Sequence, residues 1–172
     1  MNLGDDDFSL FDLPRRFAQD RADIDARWKT LAAQVHPDRF ASHGASAQRL
    51  SMQWAMRVNE AHKRLRDPLK RAAYLCELGG VDLEAHSNTR MPGDFLMEQM
   101  AWREALDDAH DVLAVQALDE QVAAREREWL DKAGHLLDDK NDAAAAAQLV
   151  RALMFVTRFR ADIDKRLDAL GH

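Results

Sequence analysis

The chain has 172 residues, of which 47% are hydrophobic and 31% are charged, and its formal net charge is −6. This length suits one medium domain or two small ones, and the acidic balance argues against a nucleic-acid-binding surface. The single cysteine, Cys76, excludes an internal disulfide and a cysteine-based metal site.

Glycine and proline are sparse, with seven and four residues, so long uninterrupted elements are expected. Short alternating runs rich in Val, Ile and Thr are missing, and the sequence therefore predicts an all-α fold. Residues 1–7 are polar and acidic, unlike a signal peptide, and no apolar run is long enough to cross a membrane. We therefore expect a cytoplasmic protein with no membrane partner.

The first predicted domain begins with a helical hairpin. Over residues 20–35 the apolar positions recur every three or four residues and form one stripe: Ile24, Trp28, Leu31 and Val35. Pro37 ends this helix, and a loop is expected to follow. Ser46 is predicted to cap a second helix, whose stripe has a matching length: Ala47, Leu50, Trp54, Val58, Ala61 and Leu65. Two such helices joined by a short loop predict an antiparallel pair.

A third helix is predicted to start at Asp67-Pro68 and to end at Gly79-Gly80, because Asp is a good cap and Pro a good first helical residue. Residues 81–93 lack apolar periodicity and are interpreted as a linker. Three more helices are expected, at about 94–110, 111–137 and 143–170, and their three-four spacing suits a three-helix bundle. The predicted domains are 1–80 and 94–172, and the third helix is expected to bridge them in an L-shaped molecule.

The helix from Asp94 carries more apolar residues than one face can hold. One stripe consists of Phe95, Trp102, Leu106 and Leu113. A second side lies roughly 100–140° from its centre and consists of Leu96, Met97, Met100, Glu104 and Asp108. Phe155 falls near the edge of the stripe on the last helix. The second side is interpreted either as a second core layer or as an exposed, adaptable binding patch.

The tripeptide His36-Pro37-Asp38 stands at the end of the first long helix, ahead of a second helix of matched length. Its placement and three stretches, 8–14 (FSLFDLP), 35–40 (VHPDRF) and 67–75 (DPLKRAAYL), resemble the J-domain family. Within that family the chain is most similar to HscB, the co-chaperone of iron–sulfur cluster assembly. The similarity continues through 95–99 (FLMEQ) and so covers nearly the whole chain.

The resemblance implies that residues 1–80 form a J-domain with the bridging helix, and that the chain is a co-chaperone with no active site, metal or cofactor of its own. It would deliver an IscU-type iron–sulfur scaffold protein to an HscA- or DnaK-type chaperone and stimulate the chaperone's ATPase. The residues that the matching family positions assign to scaffold binding are Leu96, Met97, Met100, Glu104, Asp108 and Phe155. Ala101 occupies a position that is acidic in relatives.

In J-domains the His, Pro and Asp of the turn are required for that stimulation. We expect Asp38 to pair with a cationic group on the ATPase, Pro37 to fix the turn, and His36 to bond locally and hold the loop. In this chain Ala32 and Ala33 stand where relatives often carry polar or basic residues.

The helix before the turn is expected to supply a docking face for an acidic ATPase surface. On a helical wheel Lys29 lies opposite the apolar stripe, while Arg27 and Gln34 share one flank. Arg21 and Arg39 add positive charge, which would speed encounter more than it tightens the complex. The other interpretation is an ordinary solvated face.

Three alternatives stay open at this point. The chain could be a J-protein that serves a general DnaK with a different client. An enzyme that uses His36 and Asp38 as an acid–base pair is disfavoured, because no nucleophile, phosphate loop or metal-ligand set accompanies them. A structural helical adaptor would make the tripeptide accidental.

Overall fold

The structure, a computed structural model, describes residues 2–84 and 91–171. The regular secondary structure of those residues is entirely helical, with seven α-helices, which confirms the predicted all-α class. The helices are α1 (Asp7–Leu10), α2 (Arg21–Val35), a 3₁₀ helix (Pro37–Phe40), α3 (Ala45–Arg66), α4 (Pro68–Leu78), α5 (Phe95–Asp108), α6 (Val112–Asp138) and α7 (Ala143–Ala169). Within the described ranges, every helix is too short or too polar to span a membrane.

The chain divides into two compact units, unit 1 (Met1–Leu75) and unit 2 (Cys76–His172), so the division falls inside α4. Of the expected linker 81–93, residues 85–90 lie outside the described residues. The long helices begin and end within about two residues of their predicted positions.

Most helix ends follow the predicted local chemistry. Asp67 caps α4, because its Oδ1 accepts hydrogen bonds from the backbone N–H groups of Leu69 and Lys70 at 2.9 and 3.0 Å. Gly80, at φ +90°, turns the chain away after α4, as the predicted Gly79-Gly80 stop requires. The predicted cap Ser46 is wrong: α3 begins at Ala45 after Gly44, and no side chain caps it. The segment after Pro37 is also a short 3₁₀ helix where a plain loop was expected.

Helices α2 and α3 pack as the predicted antiparallel pair. Near the turn, the Ser51 hydroxyl donates to the Val35 carbonyl at 2.6 Å. At the opposite end, the Trp28 ring stacks on His62 at a centroid distance of 4.4 Å, and His62 Nε2 lies 2.7 Å from an Asp25 carboxylate oxygen. This hydrogen bond lowers the pKa of Asp25. The two ends therefore fix the register of the hairpin.

One residue of the predicted α3 stripe is wrong. Leu50 is 50% exposed, and the buried position next to it is taken by Ser51. The stripe thus runs through a polar residue, which an apolar count passes over. Ser51 tolerates burial because its hydroxyl has the Val35 carbonyl as partner.

Unit 1 is built around a fully buried carboxylate, that of Asp7 in α1. Arg57 and Arg64 of α3 each donate to its Oδ1 at 2.8 Å, and Arg64 also donates to Oδ2. The hydrogen bonds to Asp7 raise the pKa of Arg64. The backbone N–H of Asp7 donates to the Tyr74 hydroxyl of α4 at 3.0 Å, and the Phe8 ring stacks on Tyr74. One acidic residue thus joins α1 to α3 and α4.

Unit 2 holds α5, α6 and α7. Helices α6 and α7 are joined by a short loop and pack along their length, and Arg160 of α7 donates to Asp119 and Glu126 of α6. The hydrogen bonds to Asp119 raise the pKa of Arg160. Aromatic rings fill the core between the three helices: Phe95, Trp102, Trp129, Phe155 and Phe159. Cys76 is buried, and burial raises the pKa of its thiol to about 11.

Replacing Asp7 by Asn should destabilise unit 1 by about 3–5 kcal/mol, because two arginines then lose their buried counter-charge. Urea unfolding followed by circular dichroism measures this loss. The control is Asp23→Asn, which removes a partly exposed helical pair with Arg27 at 3.0 Å and should cost less than about 1 kcal/mol. Equal losses for the two variants would contradict the role of Asp7.

Cys76 should react with a disulfide reagent at about pH 8 roughly two orders of magnitude more slowly in the folded chain than in urea, because the thiolate is the reactive form. The rate should rise about tenfold per pH unit up to the raised pKa of the thiol. The measurement uses a disulfide reagent that releases a coloured thiolate when it reacts. Since Cys76 is the only cysteine, the colour reports this thiol alone. Comparable folded and unfolded rates at about pH 8 would show that the thiol is accessible.

Candidate functional site

The turn at His36 is held by its own backbone and ring. His36 is extended, with φ −61° and ψ 132°, and it serves both as the C-cap of α2 and the N-cap of the 3₁₀ helix. Its Nδ1 accepts the backbone N–H of Asp38 at 3.2 Å, and its carbonyl accepts the N–H of Arg39 at 3.0 Å. Pro37 is the first residue of the 3₁₀ helix, where its fixed φ suits the geometry and its missing N–H costs nothing. Backbone and ring therefore fix where the next side chain points.

That next side chain is Asp38, whose carboxylate is 92% exposed. His36 Nδ1 lies 3.7 Å from Oδ2, but this nitrogen is already engaged as the acceptor of the Asp38 N–H. The turn therefore presents the Asp38 carboxylate to solvent from a backbone that two local hydrogen bonds hold.

The residues of the expected docking face do not share one environment. Lys29, Gln34 and Arg39 are exposed. Arg27 is engaged inside unit 1: its guanidinium donates to the carbonyls of Phe11 and Asp12 at 3.0 and 2.9 Å and to Asp23 at 3.0 Å. Arg27 thus ties α2 to the segment after α1.

An apolar groove beside the turn was missed in the sequence. It has a volume of about 280 Å³ and is lined by Val35, Phe40, Ala47, Leu50, Ser51 and Trp54. The signal in the sequence was Phe40, a large apolar residue outside both predicted stripes, whereas Leu50 was assigned to the buried α3 stripe. The apolar pattern could not show that Phe40 lies beside α3, because the 3₁₀ helix that brings it there was not predicted.

A second candidate surface lies on α5. Phe95, Trp102 and Leu106 are buried, as predicted for one stripe. Leu96, Met97 and Met100 are 62%, 72% and 61% exposed within the described structure, so the second side is not a core layer of unit 2. We call these three residues the α5 patch. Glu104 and Asp108 on the same helix are exposed and continue it as an acidic edge.

Two further residues of this region behave differently from each other. Phe155 is half-buried and packs edge-on against Phe95 at 5.9 Å, so it belongs in part to the aromatic core. Leu113 was predicted in the buried stripe, and this is wrong because it is 77% exposed. The predicted stripe was extended past Asp108, where α5 ends. The next helix, α6, begins at Val112, so the periodicity of α5 does not apply to Leu113.

Comparison with known proteins decides the family. A family model described as the HSCB C-terminal oligomerisation domain matches residues 91–164. The chain is 49% identical over 160 residues to the co-chaperone protein HscB homolog of Bordetella petrii, which covers 92% of this chain and 94% of that protein. The chain belongs to the HscB co-chaperone family.

Solved HscB structures share the fold. Chaperone HscB from Vibrio cholerae aligns with a TM-score of 0.84 and 31% identity, covering 96% of this chain and 99% of that one. Human co-chaperone protein HscB aligns with a TM-score of 0.87 and 27% identity, covering 96% and 84%. These relatives are named co-chaperones, and as a member of the same family this chain is a co-chaperone.

Proposed function

We propose that this HscB family member delivers an IscU-type iron–sulfur scaffold protein to an HscA- or DnaK-type chaperone and stimulates the chaperone's ATPase. The observation that carries the proposal is the exposed Asp38 carboxylate on its fixed turn. The chain supplies contacts in this scheme, and the partner performs the chemistry.

In the first contact, Asp38 pairs with a cationic group on the ATPase domain. A charge-assisted hydrogen bond is short and directional, so its strength depends on where the carboxylate is held. Pro37 sets the backbone direction, and His36 holds the Asp38 N–H through Nδ1. Each residue of the turn therefore has its own physical role.

The docking face supports this contact through charge. Arg39 in the turn segment and Lys29 on α2 present positive charge, Gln34 adds a neutral polar group near the end of α2, and Arg21 adds a charge at the far end of that helix. Charges at the rim of an interface mainly raise the association rate. Arg27 acts differently in this proposal, as a positioning residue that holds α2 in place through Phe11 and Asp12.

In the second contact, the α5 patch binds the scaffold. Two methionines and a leucine form a flexible apolar surface that adapts to the shape of a partner, and the acidic edge supplies polar contacts at its margin. Phe155, half-buried beside Phe95, adds an aromatic ring that its core neighbour holds in place. Binding scaffold and chaperone through one chain raises the effective concentration of each near the other.

Asp38→Asn should lower stimulation of the chaperone's ATPase at least about tenfold, since the charge-assisted pair loses its charge. The measurement is the ATP hydrolysis rate of the purified chaperone with and without the variant. Helicity and melting temperature should stay unchanged, because the Asp38 carboxylate is exposed and the His36 bond uses the backbone N–H.

The matched control is Asp12→Asn. Asp12 has a fully exposed side chain at 3.9 Å from Arg27, and Asn tolerates its positive φ of 54°. The substitution keeps the backbone carbonyl through which Asp12 holds Arg27. This variant should stimulate as the parent chain does. Undiminished stimulation by Asp38→Asn would refute the role of the turn.

Leu96→Asn should weaken binding of the IscU-type scaffold roughly tenfold or more, because a buried leucine contact is worth one to two orders of magnitude in affinity. Leu113→Asn is the matched control: it lies on the same unit, at 77% exposure against 62%, and outside the α5 patch. It should change affinity less than about twofold. Isothermal titration calorimetry with the purified scaffold measures both.

Two outcomes would redirect the proposal. A parent chain that shows no binding at tens of micromolar scaffold would favour a general DnaK partner with another client. The matched family model is described as an oligomerisation domain, so sedimentation of the same variants is informative. Loss of self-association with unchanged scaffold binding in Leu96→Asn would assign the α5 patch to contact between copies of this chain.

A further inference from the structure

Five of the six methionines that the structure describes are exposed to solvent. Two pairs share a helix face, Met97 with Met100 on α5 and Met52 with Met56 on α3, at 72%, 61%, 55% and 72% exposure. Methionine is ordinarily among the buried residue types. Within the described structure, the α5 pair differs from the α3 pair in lying on the proposed scaffold-binding surface.

We propose that Met97 and Met100 form an oxidation site, at which a hydroperoxide converts the two thioethers to sulfoxides and thereby releases the scaffold. The effect on the scaffold rests on the proposed function of the α5 patch. The oxidation itself depends only on exposure of the two sulfur-bearing side chains.

The reaction is a two-electron oxygen transfer. The thioether sulfur attacks one oxygen of the hydroperoxide, the O–O bond breaks, and an S=O bond forms. With hydrogen peroxide, the departing oxygen leaves as water after a proton shift, so methionine and peroxide become methionine sulfoxide and water. The sulfur is oxidised and the peroxide oxygen is reduced, with no other reactant needed.

The product is unsuited to an apolar interface. A sulfoxide is polar and chiral, while the thioether it replaces is apolar and flexible. Its oxygen accepts hydrogen bonds, and the neighbouring acidic edge, Glu104 and Asp108, offers only acceptors when ionised. Burying the sulfoxide oxygen without a donor should lower affinity about tenfold for each modified residue.

The fold should survive the change. Met97 and Met100 are more than half exposed, whereas the α5 residues that hold the bundle, Phe95, Trp102 and Leu106, are buried and carry no sulfur. Oxidation therefore changes the surface and leaves the core as it is. Methionine sulfoxide reductases, one for each sulfoxide epimer, can reverse it, because both sites are accessible.

The experiment treats the full chain with dilute hydrogen peroxide and measures two quantities in parallel. Peptide mass spectrometry gives the sulfoxide fraction at each methionine, and calorimetry gives the affinity for a purified IscU-type scaffold. Met97 and Met100 should oxidise several times faster than the half-buried Met154. Affinity should fall about tenfold or more as they convert and should recover after treatment with both reductases.

Two double variants locate the effect, and each is compared with its own untreated sample. Met97→Leu with Met100→Leu should lose the peroxide response, to within about twofold. Met52→Leu with Met56→Leu, a pair of similar exposure in unit 1, should keep the full response.

The outcomes separate the two proposals. Affinity unchanged after conversion of Met97 and Met100 would overturn this inference and leave the scaffold contact intact. A peroxide response that persists in the α5 variant would overturn it as well. An unoxidised chain that does not bind the scaffold would overturn both proposals, whereas oxidation no faster than at Met154 would refute the modification site alone.

Discussion

The buried carboxylate of Asp7 is the interaction on which unit 1 depends. A charge removed from water is tolerated only when partners replace its hydration, and here Arg57 and Arg64 do so. Their geometry fixes α1 against α3. The Tyr74 hydroxyl of α4 also accepts a hydrogen bond from the backbone N–H of Asp7. Because α1 is fixed, the carbonyls that follow it can hold Arg27 of α2. The helix that ends at the turn is thus tied to a charge far from it in sequence.

The six long helices, α2 to α7, could be predicted from the sequence, because apolar spacing and a few Pro and Gly residues determine them locally. Asp7 could not be identified as a core residue in that way. Its burial depends on Arg57 and Arg64, which lie 50 and 57 positions along the chain. The wrong prediction of Leu50 as the buried residue, where the structure buries Ser51, has a similar cause. The group that makes burial of Ser51 tolerable, the Val35 carbonyl, lies on another helix.

The candidate site also contains features that local sequence determines and features that depend on tertiary packing. The turn is a short-range motif, so its residues could be identified from sequence, and the α5 patch appeared as apolar residues in excess of one face. Whether Leu96, Met97 and Met100 face core or solvent depends on packing, which the helical wheel left open and the structure decides for unit 2. Leu113 shows the limit of the wheel, since the periodicity of α5 does not carry past its last residue. The groove at Phe40 was missed for a related reason, because it depends on a loop conformation.

The two proposed contacts rely on opposite physical properties. Asp38 works through a charge held in one place, so its strength depends on backbone geometry and is screened by salt. The α5 patch works through apolar contact by flexible thioethers, which salt screens little and which tolerate variation in partner shape. A change that disables one contact therefore leaves the other largely intact: neutralising Asp38 does not alter the patch, and oxidising the methionines does not alter the turn. Because the contacts lie on separate compact units, each can be tuned without redesigning the core of the other.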